Sequence, residues 1–444
     1  MKKLLLFISL AAVSLGAAAQ VSHYNQKVNP VNLIGSEIED SLKVYQAFAE
    51  NSPADFRVPN APRFAFVGKN RKFYLGIGGD VKATMNYDWG SPIQNANSFG
   101  PYDIPMPNQS GYNPSNKGWF GLSAQQTDLF VNFVALPDNP NKIGFYLNAT
   151  LLGNGYLPQI RSAYVSYRGI EAGYGFSLFT DLAASPSTID YDGPNSFTVV
   201  INAKFDYRHN FGKHFGIGVG AEMPMASYTN GQKNITVGAG STTETFTQTV
   251  TQRIPDIPAY LQWNFGNNNR IRLSALLRNM QYRDVLSKDT KNLAGWGVQL
   301  TGNFNICDKL IGYYQAAYGK GMTSYFEDLT GNGLDMVPNI NNNGLLETVK
   351  AWGAYIGLQY NFSPKAYCTA VYSQLRNYAP DYGNNGTVPW TSQYKYGQYI
   401  LGNFFYNINN LFTWGVEYIY GRRVDMNGLQ AHDNRIQTML QVNF

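Results

Sequence analysis

Long apolar runs, charge and sulfur are all scarce in this 444-residue chain. Beyond Leu15 nothing approaches the roughly 18 uninterrupted apolar residues of a membrane-spanning helix, so a membrane would have to be crossed by strands. Asp, Glu, Lys and Arg make up only 14% of the chain, with a net charge of +5 that falls to +3 without Lys2 and Lys3. That balance is too mild to point to nucleic acid. The two cysteines, Cys307 and Cys368, are too few for a disulfide framework, and the strand map below sets them near one rim on non-adjacent strands, where they read as small packing residues. Of the four histidines, His23 lies near the start, His209 and His214 flank a turn, and His432 sits in the last loop. None falls at mid-strand height beside a serine or carboxylate, which argues against an enzyme, and no cofactor is implied.

What is abundant is Tyr (32), Phe (26) and Gly (44), the residues of aromatic girdles and pleated walls. Lys2 and Lys3, the apolar run Leu4 to Leu15 and Ala17-Ala18-Ala19 read as a secretory signal peptide over 1–19. At the other end, Ile436, Thr438, Leu440, Val442 and Phe444 alternate with Gln437, Met439, Gln441 and Asn443, the period of a strand. The expected setting is the closing strand of an outer-membrane barrel.

Sixteen amphipathic segments can be counted upstream, and the connections between them alternate in length. Short ones fall at Leu136 to Lys142, Arg168-Gly169, His209 to Lys213, Gly266 to Asn269, Cys307 to Lys309, Phe362 to Lys365 and Ile408 to Asn410. The intervening ones are mostly long, among them Gly90 to Lys117, Met225 to Pro255 and Lys320 to Thr348. Short periplasmic turns and long outer loops are the asymmetry of such barrels, and sixteen strands leave room for a water-filled lumen. The fold class is therefore all-β, a transmembrane antiparallel barrel over 63–444. A soluble sandwich of this size would have half-cores too thin to pack.

Ahead of the barrel, 20–62 forms a separate segment. Ser36 and Glu39 make a capping box, and Ile34, Ile38, Leu42, Tyr45 and Ala49 form one apolar helical stripe. A helix this short needs a partner, either copies from neighbouring subunits in a periplasmic coiled coil or the barrel interior.

The third outer loop, 180–195, is expected to fold into the lumen as a constriction, carrying Asp181, Asp190 and Asp192. Strand parity puts Lys82, Lys204, Arg208, Arg270, Arg272 and Arg278 on the facing wall, with Arg435 a looser candidate. Carboxylates opposite cations would set up a transverse field. Arg270 and Arg272 also suit a plain turn-edging role, whereas Lys204 and Arg278, further from the turns, are expected to touch solute. Asp80, Asp128, Asp206 and Glu222 point inward by parity and dilute the positive field. In the strand taken as Phe197 to Tyr207, Phe197, Val199, Ile201, Ala203, Phe205 and Tyr207 are expected to meet lipid. Asp328 to Asp335 has the look of a calcium loop without the Glu at its twelfth position, where Asn339 stands, so no metal is assigned.

Gln159 to Tyr167 (QIRSAYVSY) and Ala172 to Asn195 resemble the DcaP-type trimeric porins, with an Arg-Ala-Tyr signature followed by a third loop carrying Phe179, Asp181, Pro186, Asp190, Gly193 and Pro194. Val199-Val200-Ile201-Asn202 stands where that family usually has an arginine-glutamine step. The resemblance implies a sixteen-stranded homotrimer in the cell outer membrane of a Gram-negative bacterium, surrounded by lipid and lipopolysaccharide, with passive diffusion and no cofactor. The expected function is a channel for small hydrophilic solutes with modest preference for anionic or zwitterionic compounds. The alternatives are a transporter for hydrophobic compounds plugged by its amino terminus, or a structural or adhesive barrel using its long loops.

Overall fold

The computed structural model describes residues 32–35, 41–53 and 62–444, apart from 108, 110–111, 230–231, 238–239, 267–268, 340–341, 343 and 380–392. The expected signal peptide and capping box lie outside the described residues. Sixteen antiparallel strands close on themselves: β1 (Phe73–Gly90), β2 in two pieces (Gly118–Ser123 and Asp128–Ala135), β3 (Ile143–Gly153), β4 (Leu157–Tyr167), β5 (Ile170–Phe176), β6 (Ile201–Phe211), β7 (Phe215–Glu222) and β8 (Ile257–Phe265). The circuit continues with β9 (Asn269–Asp284), β10 (Thr290–Cys307), β11 (Leu310–Lys320), β12 (Lys350–Ser363), β13 (Ala366–Asn377), β14 (Tyr394–Asn407), β15 (Phe412–Asp425) and β16 (Gln430–Asn443). β16 pairs with β1 from Asp433↔Gly90 to Asn443↔Asp80. Phe444 completes the seam, exchanging two 2.9 Å backbone bonds with Gly79. With no open edge, every ladder group on the barrel wall has a neighbour.

The period of two sorts each strand into a wet and an apolar face. On β9, Leu273 and Leu277 are exposed outward while Arg272, Ser274, Leu276 and Arg278 are buried inward. Aromatics gather near both ends of the outer face: Tyr87, Trp89 and Tyr418 at one, Phe215, Trp263, Phe404 and Trp414 at the other. These are girdles suited to the two interfaces of a bilayer. Cys307 on β10 and Cys368 on β13 are free thiols separated by two strands.

Three outer loops turn inward and build a core inside the barrel. L1 (91–117) buries Phe99, Ile104 and Met106, L3 (177–200) buries Leu178, Phe179, Ile189 and Phe197, and L6 (321–349) buries Met322, Tyr325, Phe326, Leu329 and Leu334. The apolar residues of L6 pack with Phe179 and Val200 of L3 and with Leu276, Ala317 and Ala351 of the wall, so this long connection is part of the lumen core. Strand β6 correspondingly begins at Ile201, four residues later than its alternation suggests. Phe197 does not face lipid, since it is 5% exposed and sets its ring edge-on to the inward Tyr355.

The amino-terminal helix α1 (Ser41–Asn51) lies inside the barrel against the lower inner face of β1–β4. Val44 and Phe48 are fully buried with Ala65, Val67, Tyr74 and Val134, so the helix packs on the barrel interior through residues other than most of the expected stripe: of that stripe Tyr45 is buried and Ala49 half-buried, while Ile34 lies exposed in a short strand, Asn32–Gly35. Its last residue is the latch. Asn51 Nδ2 donates to Asn132 Oδ1 (2.7 Å) and to the carbonyls of Phe133 and Phe145, while its Oδ1 accepts from Ser166 Oγ (2.6 Å) and its carbonyl from Tyr164 Oη. Glycine makes the seat, because a side chain at Gly144 would overlap the Asn51 carboxamide and one at Gly76 would meet Phe48 and Pro62. The short strand Phe64–Val67 then continues the ladder of β1 below Phe444.

Candidate functional site: a loop-filled lumen

L3 crosses the lumen and is fastened on the far side. At its start, Arg270 Nη2 donates to Asp181 Oδ1 at 2.7 Å, Thr301 Oγ1 donates to Asp181 Oδ2 at 2.5 Å, and Arg272 reaches the Leu178 carbonyl. Along its middle, Tyr355 Oη donates to the Ala184 carbonyl and Asn403 Nδ2 to that of Ser187. Toward the tip, Glu417 accepts the backbone N–H groups of Ile189 (2.8 Å) and Asp190 (2.9 Å), and Lys82 Nζ donates to the Ile189 carbonyl. Thr198 Oγ1 donates to Gln299 Oε1, closing the return. A segment anchored by strands from β1 to β15 has no freedom to lie flat against one wall.

This anchoring consumes most of the expected site residues. Asp181 and Asp190 are buried staples, the latter accepting from Phe99 N–H and Tyr399 Oη. Arg272 is fully buried, with its guanidinium 3.8 Å from the centre of the Tyr260 ring. Lys204 does not face solute as expected: its side chain is 1% exposed, clasped by Glu171 (2.5 Å) on the neighbouring strand β5 and by Asp206 (2.8 Å) on its own strand. Arg208 stands beside the same two carboxylates at 3.8 and 3.7 Å. Nor does Arg278 line a passage, because it sits fully buried between Asp256 and Asp335, each at 3.0 Å. The common reason is desolvation, since a cation withdrawn from water beneath a folded-in loop keeps its charge only with a carboxylate at its side. Arg435, held by Asp88 at 2.7 Å, follows the same rule.

The inward polar groups left partly exposed collect at mid-height. Besides the carboxylate-paired Arg208 and Arg270 they include Asp80, Lys82, Asp128 and Arg161 of the wall and Tyr191, Asp192 and Glu327 of the loops, with Tyr191 stacked on Arg161. Arg161 is the residue whose role parity reasoning missed. A register shift after Asn148 turns it inward, and its guanidinium lies 5.2 Å from the Phe176 ring centre and 4.9 Å from that of Tyr191. Among the described residues no hydrogen bond or ion pair reaches it, and one buried Asp80 oxygen likewise lacks a hydrogen-bond partner. The Arg-Ala-Tyr stretch of β4 was the available signal. On the loop side, burial pushes Asp192 up to about 6 against a lowering hydrogen bond from Ser98, and burial with the nearby Asp192 and Asp328 raises Glu327 well above the usual range.

The supposed calcium run is already satisfied by protein donors. Asp328 accepts from Tyr102 N–H and Tyr394 Oη, and Asp335 from Arg278, Thr323 and Ser324. Among the described residues no cluster of three or more metal-ligating side chains occurs.

Comparison with solved structures places the fold. The outer-membrane channel DcaP of Acinetobacter baumannii superposes with a TM-score of 0.67 over 85% of this chain and 99% of that one, at 20% identity. An anion-selective porin from Comamonas acidovorans gives 0.54 over 84% and 100%, at 11% identity. OmpT of Vibrio cholerae, in a structure described as its trimer form, gives 0.50 over 84% and 99%, at 10% identity. No curated protein sequence matches the chain. The family model of the Porin subfamily matches residues 150–437, well over half of the chain, from the end of β3 into β16. With its closed sixteen-stranded barrel and inward third loop, this chain is a member of that porin family.

Proposed function

We propose that this chain forms a passive diffusion channel of the outer membrane for small hydrophilic solutes, favouring zwitterionic over simple anionic ones, without catalysis or cofactor, after removal of the amino-terminal signal peptide. One observation supports the reading: Arg161, which no ion pair reaches among the described residues, shares the lumen with Lys82 and with the carboxylates of Asp80, Asp128, Asp192 and Glu327, while Lys204, Arg270 and Arg278 are each held by a carboxylate. Opposed charges across a narrow low-dielectric gap orient a dipolar solute as it passes.

A homotrimer is part of the proposal. The connection between β3 and β4 is only Asn154–Tyr156, and beside it Phe120, Leu122, Leu157 and Ile160 are exposed outward, a low apolar wall suited to packing against a second copy within surrounding lipid and lipopolysaccharide. Transport of hydrophobic compounds past an amino-terminal plug draws on α1's place in the barrel. Yet α1 uses its apolar face on the wall, and the mid-height gap is lined by charge, which favours hydrophilic cargo.

The test is planar-bilayer recording of the reconstituted protein with small amino acids and dicarboxylates added to block the current. Zwitterions should block more strongly than monoanions of equal size, and Arg161→Gln should remove most of that block while leaving insertion intact. Equal block by both classes would refute the zwitterion preference, and absence of any stable conductance would refute the channel itself.

A further inference from the structure

In a barrel constricted by its third loop, the sixth loop has no assigned part. Here L6 is built into the constriction. It forms a β-bridge between Thr198 of L3 and Phe326, reinforced by Glu327 N–H donating to the Phe197 carbonyl at 2.9 Å, and Tyr325 meets Phe179 edge-on with centroids 5.7 Å apart. A polar staple beneath fixes its height. Arg278 donates to Asp256, Asp335, Ser324 and the Gly321 carbonyl, and Asp335 collects further bonds from Thr323, Ser324 and the backbone of Ser227. In the run from Gly321 to Leu329 every residue is buried but one, Glu327. Its carboxylate receives no hydrogen bond among the described residues, and the charged groups around it are Asp192 and Asp190 of L3, its neighbour Asp328, and Arg161 of β4.

We infer that the constriction has two lips, L3 and L6, and that Glu327 of L6 is a selectivity-determining residue where L6 meets L3, with Arg278 as the positioning residue that holds L6 down. The inference rests on the channel reading above. A staple with this many donors is more than is needed to tidy a surface loop, and its effect is to present one unpaired carboxylate where L6 meets L3. An unpaired carboxylate at a narrow point attracts cations and the ammonium ends of zwitterions, and repels simple anions.

The experiment is the reversal potential of the reconstituted full-length protein in a KCl gradient, recorded on the alkaline side, where the raised Glu327 carboxyl is ionised. Glu327→Gln keeps the side chain's size and breaks no hydrogen bond, so folding is not at issue. It should raise the chloride-to-potassium permeability ratio about two- to fivefold with conductance little changed, as expected for removing one charge from a low-dielectric gap. Arg278→Lys, which keeps the charge but not the forked reach, should shift the ratio the same way and add current noise as L6 loosens. If Glu327→Gln leaves the ratio at the wild-type value while Asp192→Asn moves it, L3 alone sets selectivity and the inference is overturned. Failure of the wild-type protein to conduct would instead overturn the channel reading, and the two outcomes are distinct.

Discussion

Asn51 is the place to ask whether α1 is held in the barrel or merely found there. Its side chain makes four hydrogen bonds to the inner wall, at 2.7, 3.2, 3.1 and 2.6 Å. At about 1 kcal/mol net each, with some of the freed wall groups finding other partners, Asn51→Ala should weaken docking by about 2–4 kcal/mol. That is a factor of roughly 30 to 1,000 in the opening equilibrium. The burial of Val44, Tyr45 and Phe48, worth about 1.5–3 kcal/mol apiece, keeps the helix mostly seated. Cysteine labelling is therefore a better assay than an all-or-none readout. With Cys307 and Cys368 changed to Ser, Ala47→Cys reports opening, because Ala47 packs at the edge of the buried cluster. When closing outpaces reaction, the labelling rate scales with the open fraction. Asn51→Ala should accelerate labelling by more than tenfold, and Gly144→Val, which crowds the carboxamide out of its seat, should do the same. Labelling within twofold of the parent in both variants would sink the latch.

Two other perturbations bear on the loops. Asp181→Asn leaves Arg270 and Arg272 facing a neutral group in a buried setting, which should cost about 2–4 kcal/mol and free the start of L3; unfolding at a lower temperature with larger, noisier single-channel current is the expected result. Selectivity should also follow pH. Asp192, pushed up to about 6 by burial and by Asp103, against Ser98, Arg435 and Arg161, loses its proton as pH climbs from 5 to 7, and Glu327, raised by burial beside Asp192, Asp328 and Asp190, adds negative charge in the same direction when it ionises. The lumen gains negative charge over that interval, so cation permeability should rise with pH, read as a steady drift of the reversal potential; no drift, or the opposite one, would contradict these assignments.

The barrel was largely legible because its signals are local. Alternation within strands and short turns between them are written into consecutive residues, and the sixteen segments, their turns and the inward parity of Asp80, Asp206 and Glu222 all appear in the structure. The inward third loop was legible too, and what failed were the inferences that needed to know what else fills the lumen. Phe197 and Val199 continue the apolar alternation of β6, yet period two cannot distinguish lipid from an aromatic core inside the barrel, where Tyr355 waits. Lys204 and Arg278 point inward as parity requires, but whether an inward cation meets water depends on a loop folding over it. For Arg278 the covering segment is L6, with Asp335 57 residues away in sequence. The docking face of α1, Val44 and Phe48, was not legible in the sequence, since Gly76 and Gly144 read as ordinary strand glycines until a helix is laid on them.

The central claim is a diffusion channel whose narrow point opposes Arg161 to the carboxylates of two loops. Reversal-potential measurement on the reconstituted wild-type protein beside Arg161→Gln tests it most directly. The account predicts a weakly selective wild-type channel and a clear shift toward cations in the variant, which keeps its lumen carboxylates but loses one of the partly exposed cations beside Lys82. A strongly anion-selective wild type that Arg161→Gln leaves unchanged would contradict it.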